Sequence, residues 1–204
     1  MVGGIQIKIV GGLICIGLLF LLACCNSPAG TTGARMYSTD SLQSGDIILR
    51  RSYGLISDII VMNLNDTLDV SHCGIIIKEP DSSYKVIHAL SKKVSHTDGV
   101  QICRLEQFMA DSKIETVRVF RFLSDSKGEI AAQALRYLKQ KTPFDETFDA
   151  TDSTALYCSE LPVQSIRNAF KIDVSSGEKM LKFSVFLQPD FFREIPFVSN
   201  HLSE

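Results

Sequence analysis

The fold is decided by residues 71–90, which read SHCGIIIKEPDSSYKVIHAL. His72 to Lys78 and Tyr84 to Leu90 are short apolar runs, a pattern typical of buried strands. The residues between them, Glu79 to Ser83, predict a hairpin-type turn, because proline fixes φ and because aspartate and serine can hydrogen-bond their own backbone. The segment therefore predicts two neighbouring antiparallel strands, one beginning and one ending near a histidine.

The rest of the domain alternates strand-like and helix-like patterns without an internal repeat, which predicts one mixed α and β domain. Ser126 to Lys141 repeats apolar residues at helical spacing and ends before Pro143, and Pro162 is tolerated in the first turn of a later helix. The last segment, Val185 to Phe197, is rich in Phe and is expected to lie over the core. The other expected elements are strands at 47–49, 101–104 and 115–122 and helices at 55–64, 105–110 and about 158–170.

Composition excludes several classes of protein. With 204 residues, 45% of them hydrophobic and 22% charged, the chain can bury a core and is neither disordered nor collagen-like. A formal net charge of −2 gives no basic surface for a phosphate backbone, so nucleic acid is not an expected partner. None of the six cysteines forms a C-x-x-C pair, the pattern of many zinc and redox sites. No cofactor or metal is expected.

The amino terminus has the pattern of a secretory signal peptide. Lys8 is the only charge in the first 34 residues, and the apolar run from Ile9 to Cys25 is somewhat shorter than the ~20 residues of a comfortable membrane span. Residues 21–24, Leu-Leu-Ala-Cys, resemble the lipobox of bacterial lipoproteins, which implies a signal peptide over residues 1–23 and acylation of Cys24. An uncleaved helical anchor is the alternative.

Both interpretations place the folded domain outside the cytoplasm and tethered to a membrane. If Cys24 is diacylated, two acyl chains hold the protein without a spanning helix. Residues 24–38, rich in Ser, Gly, Thr and Ala, then form a flexible tether, and residues 39–204 form the domain. The expected location is the bacterial cell envelope, with the domain facing the periplasm or the exterior.

Cys158 is the candidate nucleophile among the three cysteines of the domain. It lies where a polar loop, residues 145–154, should give way to a helix. A thiol at a helix amino terminus feels unpaired N–H groups and the positive end of the macrodipole, which favours the thiolate. The alternative is a small buried hydrophobe. Packing is also the expected role of Cys73 and Cys103, and Cys73 should point into the core, away from the preceding histidine.

His72 and His88 are candidates for the general base and the residue that orients it. They stand sixteen residues apart, at matching ends of the two predicted strands, so an antiparallel pair brings them within hydrogen-bonding reach. A lone strand histidine is more often structural. Zinc binding by these histidines with Cys158 and His96 is a further alternative, but no tight ligand pair at i, i+3 or i, i+4 supports it.

Three motifs, Gly45-Asp46-Ile47-Ile48-Leu49, Ser71 to Ile75 and Val86 to Ala89, resemble in order the second half of the NlpC-type papain-like cell-wall peptidases. In those enzymes the nucleophilic cysteine precedes this block. Here Tyr157-Cys158-Ser159-Glu160-Leu161 follows it, which resembles the circularly permuted branch, the YiiX-like permuted papain-like amidases. The resemblance implies an α+β fold in which an antiparallel sheet or small barrel packs against helices.

The same resemblance implies a role for each matched residue. Cys158 is the nucleophile, His72 the general base, and His88 the residue that orients His72, a place where permuted relatives often have a glutamate. Tyr157 and Glu160 are candidates for contacts to the oxyanion or the substrate. A packed aromatic and a first-turn acid stabilised by the helix dipole are their alternative roles. The backbone N–H of Cys158 is the expected oxyanion donor.

The expected function is that of a membrane-tethered cysteine hydrolase that cleaves an amide through an acyl-enzyme on Cys158. The substrate is a small amide, a peptide or a lipid-like molecule, such as a cell-wall peptide or an N-acyl amino acid. Lipid acyl transfer or thioester hydrolysis on the same fold is an alternative, since a thioester accepts either water or another nucleophile. A non-catalytic binding module is the alternative from another class.

Overall fold

A computed structural model describes residues 37–126, 128–175 and 177–197. They belong to a compact unit that spans residues 35–204. The predicted signal peptide, Cys24 and most of the predicted tether lie outside the described residues. Within the described part of the chain, no helix has the length and apolar character needed to cross a membrane.

Six antiparallel strands form a single sheet in the order β4-β3-β2-β1-β5-β6. The predicted pair of strands around the 79–83 turn is confirmed, and it lies near the centre of the sheet. The strands are β1 (Ile47–Arg50), β2 (His72–Lys78), β3 (Tyr84–Leu90), β4 (Gly99–Arg104), β5 (Arg118–Phe122) and β6 (Phe192–Ile195).

The helices agree closely with the predicted ones. They are α1 (Leu55–Leu64), α2 (Leu105–Ala110), α3 (Gly128–Gln140) and α4 (Glu160–Phe170), with short 3-10 turns at Ile114–Thr116 and Phe183–Leu187. Two expectations need correction. The strand predicted over 115–122 begins only at Arg118, because a 3-10 turn occupies the preceding residues. The carboxy-terminal segment also contributes β6, which pairs with β5.

Side chains that alternate along the strands build two cores, one on each face of the sheet. Ile47 and Leu49 of β1 are fully buried in a larger core shared with α3 and α4, which we call the α3/α4 face. Ile48, between them, is fully buried in a smaller core that includes Leu105 and Phe108 of α2, which we call the α2 face. A residue's position along a strand therefore determines which helices it meets.

A buried ion pair fixes the start of β1 to β5. The Arg121 guanidinium donates from Nε and Nη2 to the two Asp46 carboxylate oxygens at 2.6 and 2.7 Å, and Nη2 also donates to the Ser41 carbonyl. The backbone N–H of Gln43 donates to the same carboxylate. Because removal of either partner leaves a buried charge unpaired, loss of Asp46 or Arg121 alone is expected to destabilise the fold by about 3–5 kcal/mol.

The first and last described residues lie together. The rings of Tyr37 and Phe197 stack with their centroids 4.9 Å apart. The backbone N–H of Ser38 donates to the Phe197 carbonyl, and the Ser41 hydroxyl donates to the Pro196 carbonyl. The two ends of the folded domain are therefore adjacent.

Candidate active site

The predicted hydrogen bond between the two histidines is present. His72 Nε2 and His88 Nδ1 are 2.9 Å apart. Ile75 pairs with Ile87, so His88 lies opposite Gly74 and diagonal to His72 on the same face of the sheet. A Cβ placed on Gly74 would come within 3.2 Å of the His88 Cβ. The missing side chain at Gly74 thus gives the His88 ring the space to reach His72.

The histidine pair is buried on the α2 face. The Phe108 ring stacks on His72 with centroids 5.6 Å apart and meets His88 edge-on at 5.7 Å. Burial, followed by His88 and the Arg50 charge, holds the pKa of His72 well below its ordinary value. Burial and Arg50 lower the pKa of His88 to about 4. Both rings are therefore neutral at pH 7, the state in which an imidazole accepts a proton.

Arg50 and Phe108 are parts of this site that the sequence analysis missed. Arg50 lies opposite His72 in the register of β1 and β2. Its guanidinium lies 4.7 Å from the Phe108 ring centroid and donates from Nη1 to the Asp111 carbonyl at 2.9 Å. The signal in the sequence was a charged residue directly after a fully apolar strand segment, Ile47 to Leu49.

Cys158 lies just before α4, next to its N-cap residue Ser159. Hydrogen bonding with the Cys73 thiol, helped by the backbone N–H groups of Ser159 and Cys73, holds the pKa of Cys158 below its ordinary value against the opposing effect of burial. Burial raises the pKa of Cys73 well above its ordinary value. Of these two neighbouring thiols, Cys158 is therefore the one that ionises more easily.

Cys73 points into the α3/α4 core as predicted. It is fully buried, and its Sγ donates to the Cys158 carbonyl at 3.1 Å. This contact joins the start of β2 to the turn that precedes α4. The loop that carries Cys158 is therefore fixed next to the residue that follows His72.

Cys158 and His72 line one cavity of about 450 Å³. Its walls come from α1, the loop after β3, the loop after α3 and the segment around Leu181. Val94 of the 94–100 loop and Glu146 and Phe148 of the 145–154 loop also line it. Among the described residues, no hydrogen bond joins the Cys158 thiol to an imidazole. Because His72 Nε2 is bonded to His88, Nδ1 is the nitrogen left to accept the thiol proton.

Residues 41–199 match the family model described as permuted papain-like amidase enzyme, YaeF/YiiX, C92 family. The match covers most of the chain. The chain belongs to this family. The predicted fold is therefore confirmed: a permuted papain-like α+β domain in which a six-stranded antiparallel sheet packs against helices.

A solved structure of another family member agrees. YiiX from Escherichia coli O157:H7 is 27% identical, with a TM-score of 0.53 over 66% of this chain and 70% of the YiiX chain. None of the curated proteins compared with the chain matches it. YiiX is described as a metalloprotein. In residues 37–126, 128–175 and 177–197 of the present family member, no three His, Cys, Asp or Glu side chains are grouped as metal ligands, so these residues do not fit such a centre.

Tyr157 and Glu160, the candidates for contacts to the oxyanion or the substrate, are buried. The Tyr157 side chain packs against Phe148, with ring centroids 5.4 Å apart, and its hydroxyl oxygen accepts the Leu181 N–H at 2.7 Å. Glu160 is fully buried and does not line the cavity; Gln164 donates to its carboxyl group at 3.2 Å. Burial raises the pKa of Glu160 to about 8. These contacts favour structural roles for both residues.

Cys103 is a second thiol near the histidines. It lies on β4 opposite Val86, and the neighbouring pair in the same register is Gln101 with His88. Cys103 therefore shares the α2 face with His88. Burial raises the pKa of Cys103, whereas the pKa of Cys158 is lowered. Cys103 also does not line the cavity, so ionisation and access both favour Cys158.

Proposed function

We propose that this protein is a cysteine amidase that forms an acyl-enzyme on Cys158, with His72 as general base and His88 orienting His72. The observation that carries the proposal is that an easily ionised thiol and a neutral, oriented imidazole line the same cavity. Membership of an amidase family supports the reaction class. Glu160 and Tyr157 are proposed to support the loop that carries the nucleophile.

The residues suit a two-step acyl transfer. The Cys158 thiol gives its proton to His72 Nδ1, and Sγ attacks the amide carbonyl carbon. The backbone N–H of Cys158 stabilises the oxyanion. The C–N bond then breaks, and the imidazolium of His72 gives its proton to the leaving amine. Water, deprotonated by His72, attacks the thioester and releases the carboxylic acid, with the proton returning to Sγ. The separate thiol and imidazole draw together when substrate binds, as in many catalytic pairs.

Substitution of each thiol in the full-length protein tests the nucleophile. Cys158→Ala is expected to lower amide hydrolysis by about 10³-fold or more while the domain stays folded, because it removes the nucleophile and little volume. Cys103→Ala is the matched control and should keep most activity. Faster labelling of Cys103 or Cys73 than of Cys158 by iodoacetamide at neutral pH would contradict the assignment.

We also propose that the amidase is held at a membrane of the bacterial cell envelope through a diacylated Cys24. The lipobox-like residues 21–24 support this proposal. Labelled palmitate should enter the wild-type chain, and Cys24→Ser should prevent both labelling and processing. Cys25→Ser is the matched control, which should still be labelled. A mature chain that begins at any residue other than Cys24 would rule out the lipoprotein.

A further inference from the structure

We propose that Cys73 is a resolving thiol, which forms a reversible disulfide with Cys158 when a peroxide oxidises the nucleophile. The disulfide blocks catalysis and protects Cys158 from irreversible oxidation. Such protection suits the cell envelope, the location proposed above, because that compartment is oxidising. The effect on catalysis rests on the proposed function, but the disulfide itself can be detected without turnover.

Cys73 and Cys158 are in contact although they are 85 residues apart in the chain. The Cys73 thiol donates to the Cys158 carbonyl oxygen at 3.1 Å, and the two thiols also hydrogen-bond with each other. A carbonyl oxygen is about 2.4 Å from the Cα of its own residue, so Cys73 Sγ lies within about 5.5 Å of Cys158 Cα. Both cysteines are free thiols in the structure. At this separation, side-chain rotation and a small movement of the turn that precedes α4 are enough to reach disulfide geometry.

The two thiols differ in their access to an oxidant. Cys158 lines the cavity described above, whereas Cys73 is fully buried. A peroxide that enters the cavity therefore meets Cys158 first. The lowered pKa of Cys158 and the raised pKa of Cys73 favour the same order, because the thiolate is the form that a peroxide oxidises.

Cys103 is not placed to act as the resolving thiol. It packs against the core of the α2 face, whereas Cys73 and Cys158 belong to the core of the α3/α4 face. Of the three cysteines in the described part of the chain, Cys73 is therefore the one that can reach the nucleophile. Because Cys73 points away from His72, the disulfide also keeps Cys158 Sγ from the general base.

The chemistry uses one peroxide molecule for each disulfide. The Cys158 thiolate attacks one oxygen of hydrogen peroxide, the O–O bond breaks, and the sulfur becomes a sulfenic acid. The hydroxide that leaves takes up the proton that the Cys158 thiol released. Cys73 Sγ then attacks Cys158 Sγ, the S–O bond breaks, and the second hydroxide leaves with the Cys73 proton as water. A dithiol reverses the oxidation by attacking Cys158 Sγ from the cavity, which releases Cys73 as a thiol; its second thiol then releases Cys158 and closes the oxidised dithiol.

Peptide mapping of the full-length protein after treatment with hydrogen peroxide tests the disulfide. Without a reductant, the wild-type digest should contain one pair of peptides joined through Cys73 and Cys158, two hydrogen atoms lighter than the free peptides. Amide hydrolysis should fall about tenfold or more and should return after treatment with dithiothreitol. In Cys73→Ala, measured against its own reduced activity, Cys158 should pass to sulfinic and sulfonic acids and the loss should be permanent. Cys103→Ala is the matched control and should respond as the wild type does.

The mapping of the wild type decides the proposal even if Cys73→Ala does not fold. The proposal is wrong if the treated wild type lacks this disulfide, whether Cys158 stays reduced, becomes a sulfinic acid or joins any other cysteine. Equal recovery of activity in Cys73→Ala and the wild type would also overturn it. In each of these cases the amidase stands if Cys158→Ala is inactive. A Cys73–Cys158 disulfide in a protein that hydrolyses no amide when reduced would support the resolving thiol and contradict the proposed function.

Discussion

Gly74→Ala should damage both the fold and the histidine pair, because there is no space for a side chain at Gly74 between β2 and the facing residues of β3. A Cβ at this position would be 2.4 Å from Val86 Cγ1, 2.9 Å from the Ile87 carbonyl oxygen and 3.2 Å from the His88 Cβ. Val86 can change rotamer, but the carbonyl oxygen belongs to the backbone of β3. The strands must therefore move apart to accept one methyl group.

The expected cost follows from the overpacking of a buried site. Insertion of a methylene into a well-packed core usually costs about 1–3 kcal/mol, and the contact with backbone puts Gly74→Ala in the upper half of that range. The same movement carries His88 away from His72 and lengthens their 2.9 Å hydrogen bond. Because His72 then loses its orientation, kcat/KM should fall by about tenfold or more, beyond any loss of folded protein.

The free energy of unfolding of each variant, from chemical unfolding, and kcat/KM per mole of folded protein give the test. Gly128→Ala is the matched control, because a Cβ there meets no atom within 4 Å and Gly128 begins α3, where alanine is favourable. Gly74→Ala combined with Val86→Ala should recover part of the stability. If Gly74→Ala is as stable and as active as wild type, the close approach of β2 and β3 does not set the geometry of the pair.

Two further changes test the histidine pair, and a third tests the buried Glu160 carboxyl. His88→Ala should keep roughly 50-fold to 100-fold more activity than His72→Ala, because loss of the orienting residue leaves the base in place. His88→Gln should recover part of the loss. Wild-type activity of His88→Ala would show that another residue orients His72. Arg50→Met should raise the pKa of both histidines, so the acid limb of the profile of kcat/KM against pH should move to higher pH. Arg50→Lys keeps the charge and should leave the limb in place. An unmoved limb in Arg50→Met would show that the Arg50 charge does not affect the pKa of His72. The pKa of Glu160 is raised to about 8 in the folded state, so the protonated carboxyl favours folding at low pH and this contribution is lost as pH rises from about 4.5 through 8. The free energy of unfolding of Glu160→Gln should therefore exceed that of the wild type by roughly 2–4 kcal/mol at pH 9. Curves of this free energy against pH that run parallel for the two proteins would contradict the prediction.

The central part of the fold could be predicted from local patterns alone. The β2 and β3 strands and α1 have the predicted bounds, because each is a short run with one period and a clear turn or cap signal on its flanks. The contact between His72 and His88 followed from their spacing, since an antiparallel hairpin leaves few ways to pair two strands. The strand pattern and the turn signal between the strands were therefore enough to predict that His72 and His88 lie together.

The features that the sequence did not predict depend on contacts between distant segments. The β6 strand, Phe192–Ile195, has only two buried residues and is followed by Pro196, so nothing local distinguishes it from a covering loop. Its partner, β5, lies about 70 residues earlier. The contact of Cys73 with Cys158, and the position of Arg50 beside the histidines, likewise arise from packing across the sheet and have no periodic signal in the sequence.

Because Tyr37 and Phe197 lie side by side, the segments of this domain can be joined in another order while the strands and helices keep their positions. A short linker can join these two positions, since their rings already stack. New termini opened between Asp125 and Ser126, which are both exposed, would leave every strand pair in place. In the relinked chain Cys158 precedes His72, which is the order of the NlpC-type enzymes. The protein made from a synthetic gene of this kind would have the same three-dimensional arrangement, although residues 126–197 would come before residues 37–125 in its chain.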